Sequence, residues 1–324
     1  MARLAVIGAG AWGTALAVQA ARAGCAVTLW ARDAGRAAAI AAARENARHL
    51  PGIPLAPAIE VTADPARLAG AEAAILAVPT QHLRALLAQL PPALPPFLLA
   101  AKGVEQGSLL FPLELVGQLR PGPAAILSGP NFAHEVAAGL PAAAVLASGD
   151  AALREAAAAL LATPGFRLYG SDDPLGVQIG GAAKNVIAIA AGAVIGAGLG
   201  ENARAALITR GLAELSRLVV ALGGRAETAS GLSGLGDLLL TATGPSSRNT
   251  ALGLALGRGL SLAEALAGKA SVAEGASTAP ALLARATAAG VELPVCAAVT
   301  ALLAGEATVA EAMAQLLARP RRDE

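Results

Sequence analysis

The 324-residue chain is long enough to form two domains with sizeable cores. Its 24 basic and 23 acidic residues leave a formal net charge of +1, unlike the strongly basic balance of a nucleic-acid-binding protein, so we expect no nucleic-acid partner. The two cysteines, Cys25 and Cys296, lie far apart, and no Cys, His, Asp and Glu residues have metal-ligand spacing, so we expect no metal and a reducing, cytoplasmic location.

The composition is apolar for a protein that works in water. Hydrophobic residues make up 55% of the chain and charged residues 15%, against about 25% charged in average soluble proteins. We therefore expect a homodimer in which a second copy covers part of the surface. The most apolar stretch, residues 185–200, is shorter than the ~20 residues of a membrane-spanning helix and contains four glycines. It predicts a buried core helix and no membrane insertion.

Short apolar runs alternate with Ala- and Leu-rich helical stretches as far as residue 170. Continuous apolar strands separated by helices predict a parallel sheet that is covered on both faces. The predicted strands are Leu4–Ile7, Ala26–Trp30, Ala74–Val78, Phe97–Ala101, Ala124–Leu127 and Ala143–Leu146.

The strand signal vanishes after Asp173, where helical segments separated by glycine-rich turns begin. The polar turn SDDP at residues 171–174 marks the predicted boundary. The predicted fold class is therefore α/β. Residues 1–172 form a Rossmann-type, doubly wound, mainly parallel sheet, and residues 173–324 form an all-helical, substrate-binding domain.

A glycine-rich loop follows the first predicted strand. The segment LAVIGAGAWGTALA places Gly8, Gly10 and Gly13 in the spacing GxGxxG, directly after an apolar strand and at the start of a helix. In this context the glycines permit a tight turn and close approach of a dinucleotide pyrophosphate, and the helix N-terminus attracts the anion. Ala11 and Trp12, between the glycines, are further predicted cofactor contacts.

The end of the second strand, VTLWARD, bears on the choice of nucleotide. A carboxylate at this place favours NAD(H), whereas a small residue followed by arginine accommodates the 2′-phosphate of NADP(H). Ala31 and Arg32 match the second pattern, and Asp33 keeps the first one open. We expect NADP(H) to be favoured and NAD(H) to be possible. The alternative for Arg32 is a solvated surface charge.

Lysine is rare in this chain: of the 24 basic residues, only Lys102, Lys184 and Lys269 are lysines. Arginine cannot give up its proton near neutral pH, whereas a buried lysine can. Lys102 ends a predicted strand in LLAAKGVE, and Lys184 lies in the apolar segment GGAAKNVIAIAAG. Both are predicted functional amines, with a snorkelling or capping lysine as the alternative. Lys269, on a polar turn, is predicted to be a surface charge.

Several segments are more specific than the glycine loop. The motifs SGPNFAHEVA, KNVIAIAAG, GLGDLLLTATGPSSRN and VAEGASTAPALL, together with GAGAWGTALA, LWARD and AKGVE, resemble bacterial NAD(P)-dependent glycerol-3-phosphate dehydrogenases in order and spacing. The resemblance extends from about residue 4 to about residue 315. It implies that the partners are dihydroxyacetone phosphate and sn-glycerol 3-phosphate.

The resemblance implies roles for a set of residues around the reacting carbonyl. Lys184 is the implied general acid and base at the carbonyl oxygen of dihydroxyacetone phosphate, and Lys102 is the implied second lysine, which contacts substrate and cofactor. Asp237 and Thr241, four residues apart, are expected on one helical face, where they orient the lysine and the substrate. The remaining implied substrate contacts are Gly129, Asn131, Asn185, Ser247, Arg248 and Asn249.

Ser247, Arg248 and Asn249 form the implied phosphate clamp, because a guanidinium fork beside a helix start suits a phosphate dianion. The alternative is a helix cap with an exposed arginine. Further implied cofactor contacts are His49, Ala133, Arg248, Val272 and Glu274, the last of which could equally be a solvated charge.

The histidines His49, His82 and His134 are chemically plausible bases, but none lies in a segment with an implied catalytic role. Two other functions stay open at this point. A hydroxy-acid or sugar-acid dehydrogenase would not require SSRN, and a nucleotide-sensing regulator would have no reason to keep Lys102, Lys184 and Asp237 together.

Overall fold

The computed structural model describes residues 1–244, 246–267 and 273–320. Contacts between residues group the chain into two compact units, unit 1 (Met1–Lys102 and Pro112–Val177) and unit 2 (Gly103–Phe111 and Gln178–Glu324). The predicted boundary between residues 172 and 173 lies at a turn, where Asp173 accepts a hydrogen bond of 2.8 Å from the Gly176 N–H as a helix begins. The division by contacts falls within the first turns of that helix. The domain boundary itself stays a prediction.

Unit 1 is built on one eight-stranded sheet. Its strands are β1 (Arg3–Ile7), β2 (Ala26–Trp30), β3 (Ile59–Thr62), β4 (Ala73–Leu76), β5 (Phe97–Leu99), β6 (Ala124–Ser128), β7 (Ala142–Ala147) and β8 (Phe166–Ser171). They lie side by side in the order β3-β2-β1-β4-β5-β6-β7-β8. All neighbouring pairs are parallel except β6 and β7, so β7 and β8 run against the other six strands. The predicted mainly parallel sheet is confirmed.

The order of the strands reverses at β1, because β2 and β3 lie on one side of it and β4 on the other. Leu4 of β1 lies between Val27 of β2 and Ala73 of β4, and all three side chains are buried. Strands buried on both faces read as continuous apolar runs, which is why the central strands could be predicted. At such a reversal the carboxyl ends of the strands leave a crevice where ligands bind.

Two strands were not predicted, and both lie at the edges of the sheet. β3 and β8 are partly exposed, and polar side chains such as Glu60 and Arg167 interrupt their apolar pattern. Charged residues on an edge strand prevent another chain from pairing with it. The same charges removed the continuous apolar run by which the other strands were recognised.

Six helices connect the strands of unit 1. They are α1 (Ala11–Arg22), α2 (Ala34–Ala43), α3 (Thr80–Gln89), α4 (Pro112–Leu119), α5 (Ala133–Ala138) and α6 (Ala151–Leu161). The main core of the unit includes Leu16 of α1, Leu29 of β2 and Leu160 of α6. The buried Gln19 side chain ties α1 to the end of α6, because its Nε2 donates to the Leu161 carbonyl oxygen at 2.8 Å.

Unit 2 contains α7 (Pro174–Gly196, shared with unit 1 in its first turn), α8 (Gly200–Ala221), α9 (Ala226–Ala229), α10 (Asp237–Thr243), α11 (Arg248–Gly257), α12 (Leu262–Leu266), α13 (Glu274–Ala288), α14 (Pro294–Ala304) and α15 (Val309–Leu317). A π-helical turn, Leu232–Gly236, precedes α10. No strand occurs in unit 2 among the residues that the structure describes, so the helical prediction is confirmed for them.

Helix α7 is the core helix that the apolar stretch predicted. By length and composition it could cross a membrane, but 89% of its most apolar window is buried inside the protein. It packs against α11 backbone to backbone, since a Cβ on Gly192 would lie 2.2 Å from the Thr250 carbonyl oxygen and one on Gly253 would lie 1.9 Å from that of Ile189. The glycines of both helices therefore determine how closely the two helices approach.

Glu214 of α8 is a buried acid that the sequence analysis did not single out. Its carboxylate accepts the Val295 N–H at 2.7 Å. Burial raises its pKa to about 7, although the hydrogen bonds from the Val295 and Cys296 N–H groups, and to a smaller extent the charges of Arg217 and Arg319, oppose that shift. The folded protein therefore binds this proton more tightly than the unfolded chain does. The contribution is favourable below pH ~4.5 and is lost as the pH rises through ~7.

We expect Glu214→Gln to remove this pH dependence, because the amide keeps an acceptor for the Val295 N–H without a charge. Relative to the variant, the wild type should lose on the order of 2–3 kcal/mol of unfolding free energy between pH ~4.5 and ~7. Urea unfolding of both proteins at several pH values measures this. A difference that stays constant across that range would contradict a raised pKa for Glu214.

Candidate active site

The glycine loop between β1 and α1 has two different kinds of glycine. Gly8 has a φ of +115°, and a Cβ there would lie 2.6 Å from the Ala77 carbonyl oxygen. A Cβ on Gly13 would lie 1.9 Å from the Gly8 carbonyl oxygen. At Gly10, in contrast, a Cβ would meet no atom within 4 Å. The protein's own packing requires the first and third glycines, whereas the second one borders open space.

Helix α1 begins at this loop without a side-chain cap. Gly10 is its N-cap residue, no side chain accepts from its first N–H groups, and its first turn contains no acidic residue. Ala11 and Trp12 form that first turn and are half-buried. An uncapped helix N-terminus beside open space is suited to bind an anion.

Asn46 holds the loop from the side. Its buried Nδ2 donates to the Ala9 carbonyl oxygen at 3.0 Å and to Thr14 Oγ1 at 2.7 Å. Thr14 Oγ1 in turn donates to the Gly10 carbonyl oxygen at 2.8 Å. This chain connects the loop after α2 to the glycine loop and restricts the conformation of both.

The predicted cofactor contacts Trp12 and Ala133 lie in one small cluster of unit 1. Both pack against Ala15, Leu50 and Ala137, where α1 meets α5. Leu50 follows directly after His49, which is half-buried. The structure therefore brings the α1 start, the α5 start and the loop of His49 together.

At the end of β2, Ala31 is buried and Arg32 is exposed. Asp33 is the N-cap of α2, and its Oδ1 accepts the Arg36 N–H at 2.6 Å. Asp33, the acid that left an NAD(H)-type site as an alternative, therefore caps helix α2.

Lys102, Gly129 and Asn131 lie together in unit 1. Lys102 Nζ donates to the Gly129 carbonyl oxygen at 3.1 Å, in the turn that follows β6. Asn131 Nδ2 donates to the Ala143 carbonyl oxygen at 3.0 Å, and this bond fixes the orientation of the amide. Its Oδ1 is left buried without a hydrogen-bond partner. The turn thus presents an ammonium group and an unsatisfied acceptor.

Lys184 lies in a buried polar cluster of unit 2. Its Nζ is 3.0 Å from Asp237 Oδ1 and donates to Thr241 Oγ1 at 2.8 Å, and Thr241 Oγ1 donates to Asp237 Oδ1 at 3.3 Å. The lysine and aspartate side chains are only 10% and 2% exposed. Asp237 and Thr241 lie on one face of α10, so the ammonium group is held in a single position by two partners on the same helix.

A close helix contact places this cluster. A Cβ on Gly180 of α7 would lie 2.8 Å from the Ser233 carbonyl oxygen in the π-helical turn. Only glycine permits this approach, because the contact is with backbone rather than with a flexible side chain. Lys184 lies four residues further along α7, opposite the start of α10, and thus reaches Asp237.

The residues of the predicted phosphate clamp have different surroundings. Ser247 is buried and caps α11, because its Oγ accepts the Thr250 N–H at 3.2 Å. Arg248, the first residue of α11, is exposed. The clamp and the helix cap were alternatives in the sequence analysis. Ser247 does cap the helix, and the exposed Arg248 side chain is not part of the buried hydrogen-bond network around Asn249.

Asn249 and Asn185 bind each other. Asn249 Nδ2 donates to Asn185 Oδ1 at 2.7 Å, and Asn249 Oδ1 accepts the Gly275 N–H at 3.0 Å. These bonds connect α7, α11 and the start of α13, whose first residue is Glu274. Asn249 therefore positions three helices, whatever it binds in addition. The predicted contact Val272 and the predicted surface lysine Lys269 lie outside the described residues.

Comparison with known proteins identifies the family. The sequence-family model for the N-terminus of NAD-dependent glycerol-3-phosphate dehydrogenases matches residues 3–154, and the family model for their C-terminus matches residues 173–314. Glycerol-3-phosphate dehydrogenase [NAD(P)+] from Methylobacterium radiotolerans is 56% identical over 276 residues, which cover 84% of this chain and 82% of the relative. The enzyme of that name from Caulobacter vibrioides is 56% identical over 279 residues, covering 85% and 84%.

A crystal structure of glycerol-3-phosphate dehydrogenase from Coxiella burnetii has a TM-score of 0.93 at 37% identity, and covers 98% of this chain and 99% of that one. The chain belongs to the NAD-dependent glycerol-3-phosphate dehydrogenase family. The family that the motifs predicted is confirmed, as are the Rossmann-type fold with helical C-terminal part and the class of NAD(P)-dependent oxidoreductase.

Within this family fold, the predicted site residues fall into two groups. Unit 1 carries the glycine loop, Arg32, Lys102, Asn131 and Ala133, and unit 2 carries Lys184 and its partners. Their individual roles stay predictions. His82 and His134 are exposed. Among residues 1–244, 246–267 and 273–320, no three His, Cys, Asp or Glu side chains are grouped as metal ligands.

Two contacts that position the predicted site residues were not anticipated from the sequence. Asn46 had a weak signal, since it is one of only five asparagines in the chain. The close approach at Gly180 had a signal in the pair of glycines that precedes AAKN, since adjacent glycines in a helix allow another backbone to come close.

Proposed function

We propose that the protein catalyses reversible hydride transfer between NAD(P)H and dihydroxyacetone phosphate, which gives sn-glycerol 3-phosphate. The observation that carries the proposal is the buried Lys184 ammonium group, held 3.0 Å from Asp237 Oδ1 and 2.8 Å from Thr241 Oγ1. A buried charge costs stability even when it is paired, so the retention of a buried lysine in a chain that otherwise prefers arginine supports a catalytic role.

Unit 1 fits a dinucleotide. Gly10 leaves space where a pyrophosphate can approach the backbone, and the uncapped α1 N-terminus supplies N–H donors for it. Trp12, His49 and Ala133 would line the site beside the loop. When bound, the reduced nicotinamide supplies the hydride. Lys102 and the unpartnered Asn131 Oδ1 offer a donor and an acceptor near the end of β6.

Lys184 performs the proton transfer in this proposal. As carbon 2 of dihydroxyacetone phosphate is reduced, its carbonyl oxygen becomes an alkoxide, and the Lys184 Nζ donates a proton to that oxygen. In the reverse direction the neutral amine takes the hydroxyl proton. Asp237 and Thr241 orient the amine, so little reorganisation is needed at the moment of transfer.

The phosphate of the substrate is assigned to the start of α11. Arg248 is exposed and can turn its guanidinium fork toward a dianion, while the helix start adds favourable N–H dipoles. Ser247 caps this helix start, and Asn249 and Asn185 hold it against α7. Glu274 and Val272 are assigned to the cofactor.

The direct test follows the absorbance of NADPH in the presence of dihydroxyacetone phosphate. We expect consumption of NADPH and formation of sn-glycerol 3-phosphate. Turnover of a hydroxy acid or sugar acid, without turnover of dihydroxyacetone phosphate, would contradict the substrate assignment. Nucleotide binding without any turnover would instead indicate a regulator.

Gly10→Ala tests the cofactor site. The Gly10 backbone is extended, with φ −78° and ψ −177°, so alanine fits without strain, yet its methyl group would occupy the open space beside the loop. We expect KM for the nucleotide to rise at least about tenfold with little change in melting temperature. Gly117→Ala, at an exposed position of α4 with similarly open surroundings, is the matched control. It should leave KM for the nucleotide unchanged and raise the melting temperature slightly, because alanine is more favourable than glycine inside a helix. Equal KM values for both variants would contradict the assignment.

NADP(H) is the favoured nucleotide in our proposal, because Arg32 is exposed at the end of β2 while Asp33 caps α2. Arg32→Glu should repel the 2′-phosphate and offer an acceptor to the ribose hydroxyl. We expect the ratio of kcat/KM for NADPH to that for NADH to fall about tenfold or more. Equal changes with both nucleotides would mean that Arg32 does not face the 2′ position.

The biological setting is also part of the proposal. The low charged fraction of 15% supports a homodimer, for which light scattering should give about twice the chain mass of 31.6 kDa. The same composition and the two separated cysteines support action in the cytoplasm. There the enzyme would supply glycerol 3-phosphate for glycerophospholipid synthesis.

A further inference from the structure

Arg36 reaches from α2 to the glycine loop. It is half-buried, its Nη2 donates to the Ala9 carbonyl oxygen, and its Nε is buried without a hydrogen-bond partner. The anchor on Ala9 holds the guanidinium group beside the loop that is proposed to bind the pyrophosphate. One donor of a positively charged fork is thereby left unsatisfied in a place that water barely reaches.

Arg48 approaches the same place from a different segment. Asn46, two residues earlier, donates to the same Ala9 carbonyl oxygen at 3.0 Å. The Asn46 carbonyl accepts the His49 N–H at 3.0 Å, which closes a tight turn around Arg48. Burial and the positive charge of Arg48 lower the pKa of Arg36, and the carboxylate of Asp33 opposes this shift, so Arg36 lies within electrostatic range of both residues.

Other arginines nearby have evident structural partners. Arg44 donates to the carbonyl oxygens of Leu55 and Ile59 at 3.1 and 2.9 Å, and Arg67 is paired with Glu60 at 2.8 Å. Arg32, Arg36 and Arg48, in contrast, form no ion pair within the described part of the chain. The carboxylate of Asp33 acts on Arg36 with the opposite sign and offsets part of the repulsion between Arg36 and Arg48. The remaining positive charge of Arg36 and Arg48 next to the glycine loop favours binding of an anion there.

We propose that Arg36 and Arg48, together with Arg32, form the site for the 2′-phosphate of NADP(H). This inference rests on the proposed function, since it assumes that the glycine loop binds a dinucleotide. The phosphate dianion would offset the repulsion between Arg36 and Arg48. A shift of the half-buried Arg36 side chain on binding would let its unsatisfied Nε donate to the phosphate. Arg36 and Arg48 are then residues that determine specificity, in addition to Arg32 at the end of β2.

The test measures binding of adenosine 2′,5′-bisphosphate and of adenosine 5′-monophosphate to the full chain by calorimetry. Only the first ligand carries the 2′-phosphate. We expect Arg36→Ala and Arg48→Ala each to weaken binding of the bisphosphate about tenfold or more, and binding of the monophosphate less than about twofold. Arg36→Lys should recover part of the affinity. Arg67→Ala, which removes an exposed arginine paired with Glu60, is the matched control and should change neither affinity.

Each other outcome overturns the inference in a recognisable way. If Arg36→Ala weakens both ligands equally, Arg36 only supports the glycine loop through Ala9. Because Arg48 is exposed, the Arg48→Ala variant should fold and gives an independent result even if the Arg36→Ala variant folds poorly. An unchanged affinity of Arg48→Ala for the bisphosphate would show that Arg48 is not part of the site. Equal affinity of the wild type for both ligands would contradict a 2′-phosphate site, although the protein could still be an NAD(H)-dependent enzyme. A wild type that binds neither ligand would overturn the proposed function as well.

Discussion

Replacing Lys184 by methionine is expected to lower kcat by about 10² to 10⁴, because the substrate alkoxide would lose its proton donor. Methionine keeps most of the side-chain volume in a site where the lysine is only 10% exposed. Lys184 is assigned to the substrate and not to the nucleotide, so the affinity for the nucleotide should be unchanged. Steady-state kinetics and a nucleotide titration measure the two effects separately.

The buried partner of Lys184 requires a further control. Without the ammonium group, the buried carboxylate charge of Asp237 would lose its 3.0 Å ion pair, and breaking a buried ion pair costs about 3–5 kcal/mol of stability. The double variant Lys184→Met and Asp237→Asn removes that charge, so it should recover stability but not activity. If either variant kept more than about a tenth of wild-type kcat, a barrier change of only ~1.4 kcal/mol, Lys184 would not be the proton donor.

Truncating Arg248 to alanine is expected to lower kcat/KM for dihydroxyacetone phosphate at least about thirtyfold, since a lost charged hydrogen-bonding pair costs about 2–5 kcal/mol. Binding energy from the phosphate also positions the reacting carbonyl, so kcat should fall too. The arginine is exposed at the start of α11, and Ser247 caps that helix without it, so the fold should be unaffected. Kinetics with the purified variant measures the loss.

Two controls separate phosphate binding from other roles of Arg248. Unphosphorylated dihydroxyacetone should be a very poor substrate of the wild type, and the variant should scarcely alter its kcat/KM. Arg258→Ala removes an exposed arginine at the other end of α11 and should leave both substrates unaffected. Equal loss of activity toward the phosphorylated and unphosphorylated substrates would show that Arg248 supports the fold or the cofactor instead.

Features that depend on one segment could be predicted from the sequence. The central strands and α7 are buried on all sides, so their apolar runs report their burial whatever packs against them. The glycine loop was recognised because its spacing and its place between strand and helix are local. Lys184 stood out because the chain otherwise uses arginine for positive charge. These observations, with the motifs, predicted the fold class and the family, which are confirmed, and Lys184 as the candidate proton donor, which stays a prediction.

Features that depend on two distant segments were decided only by the tertiary structure. The half-exposed edge strands β3 and β8 are defined by the strand that each one pairs with. Lys184 meets a threonine 57 residues away, and Arg36 meets a carbonyl group 27 residues away. The side-chain amide of Asn249, which is predicted to bind phosphate, forms hydrogen bonds with Asn185 and Gly275 in the folded protein. Sequence periodicity reports how much of a segment is buried, but close packing determines which distant group it meets there.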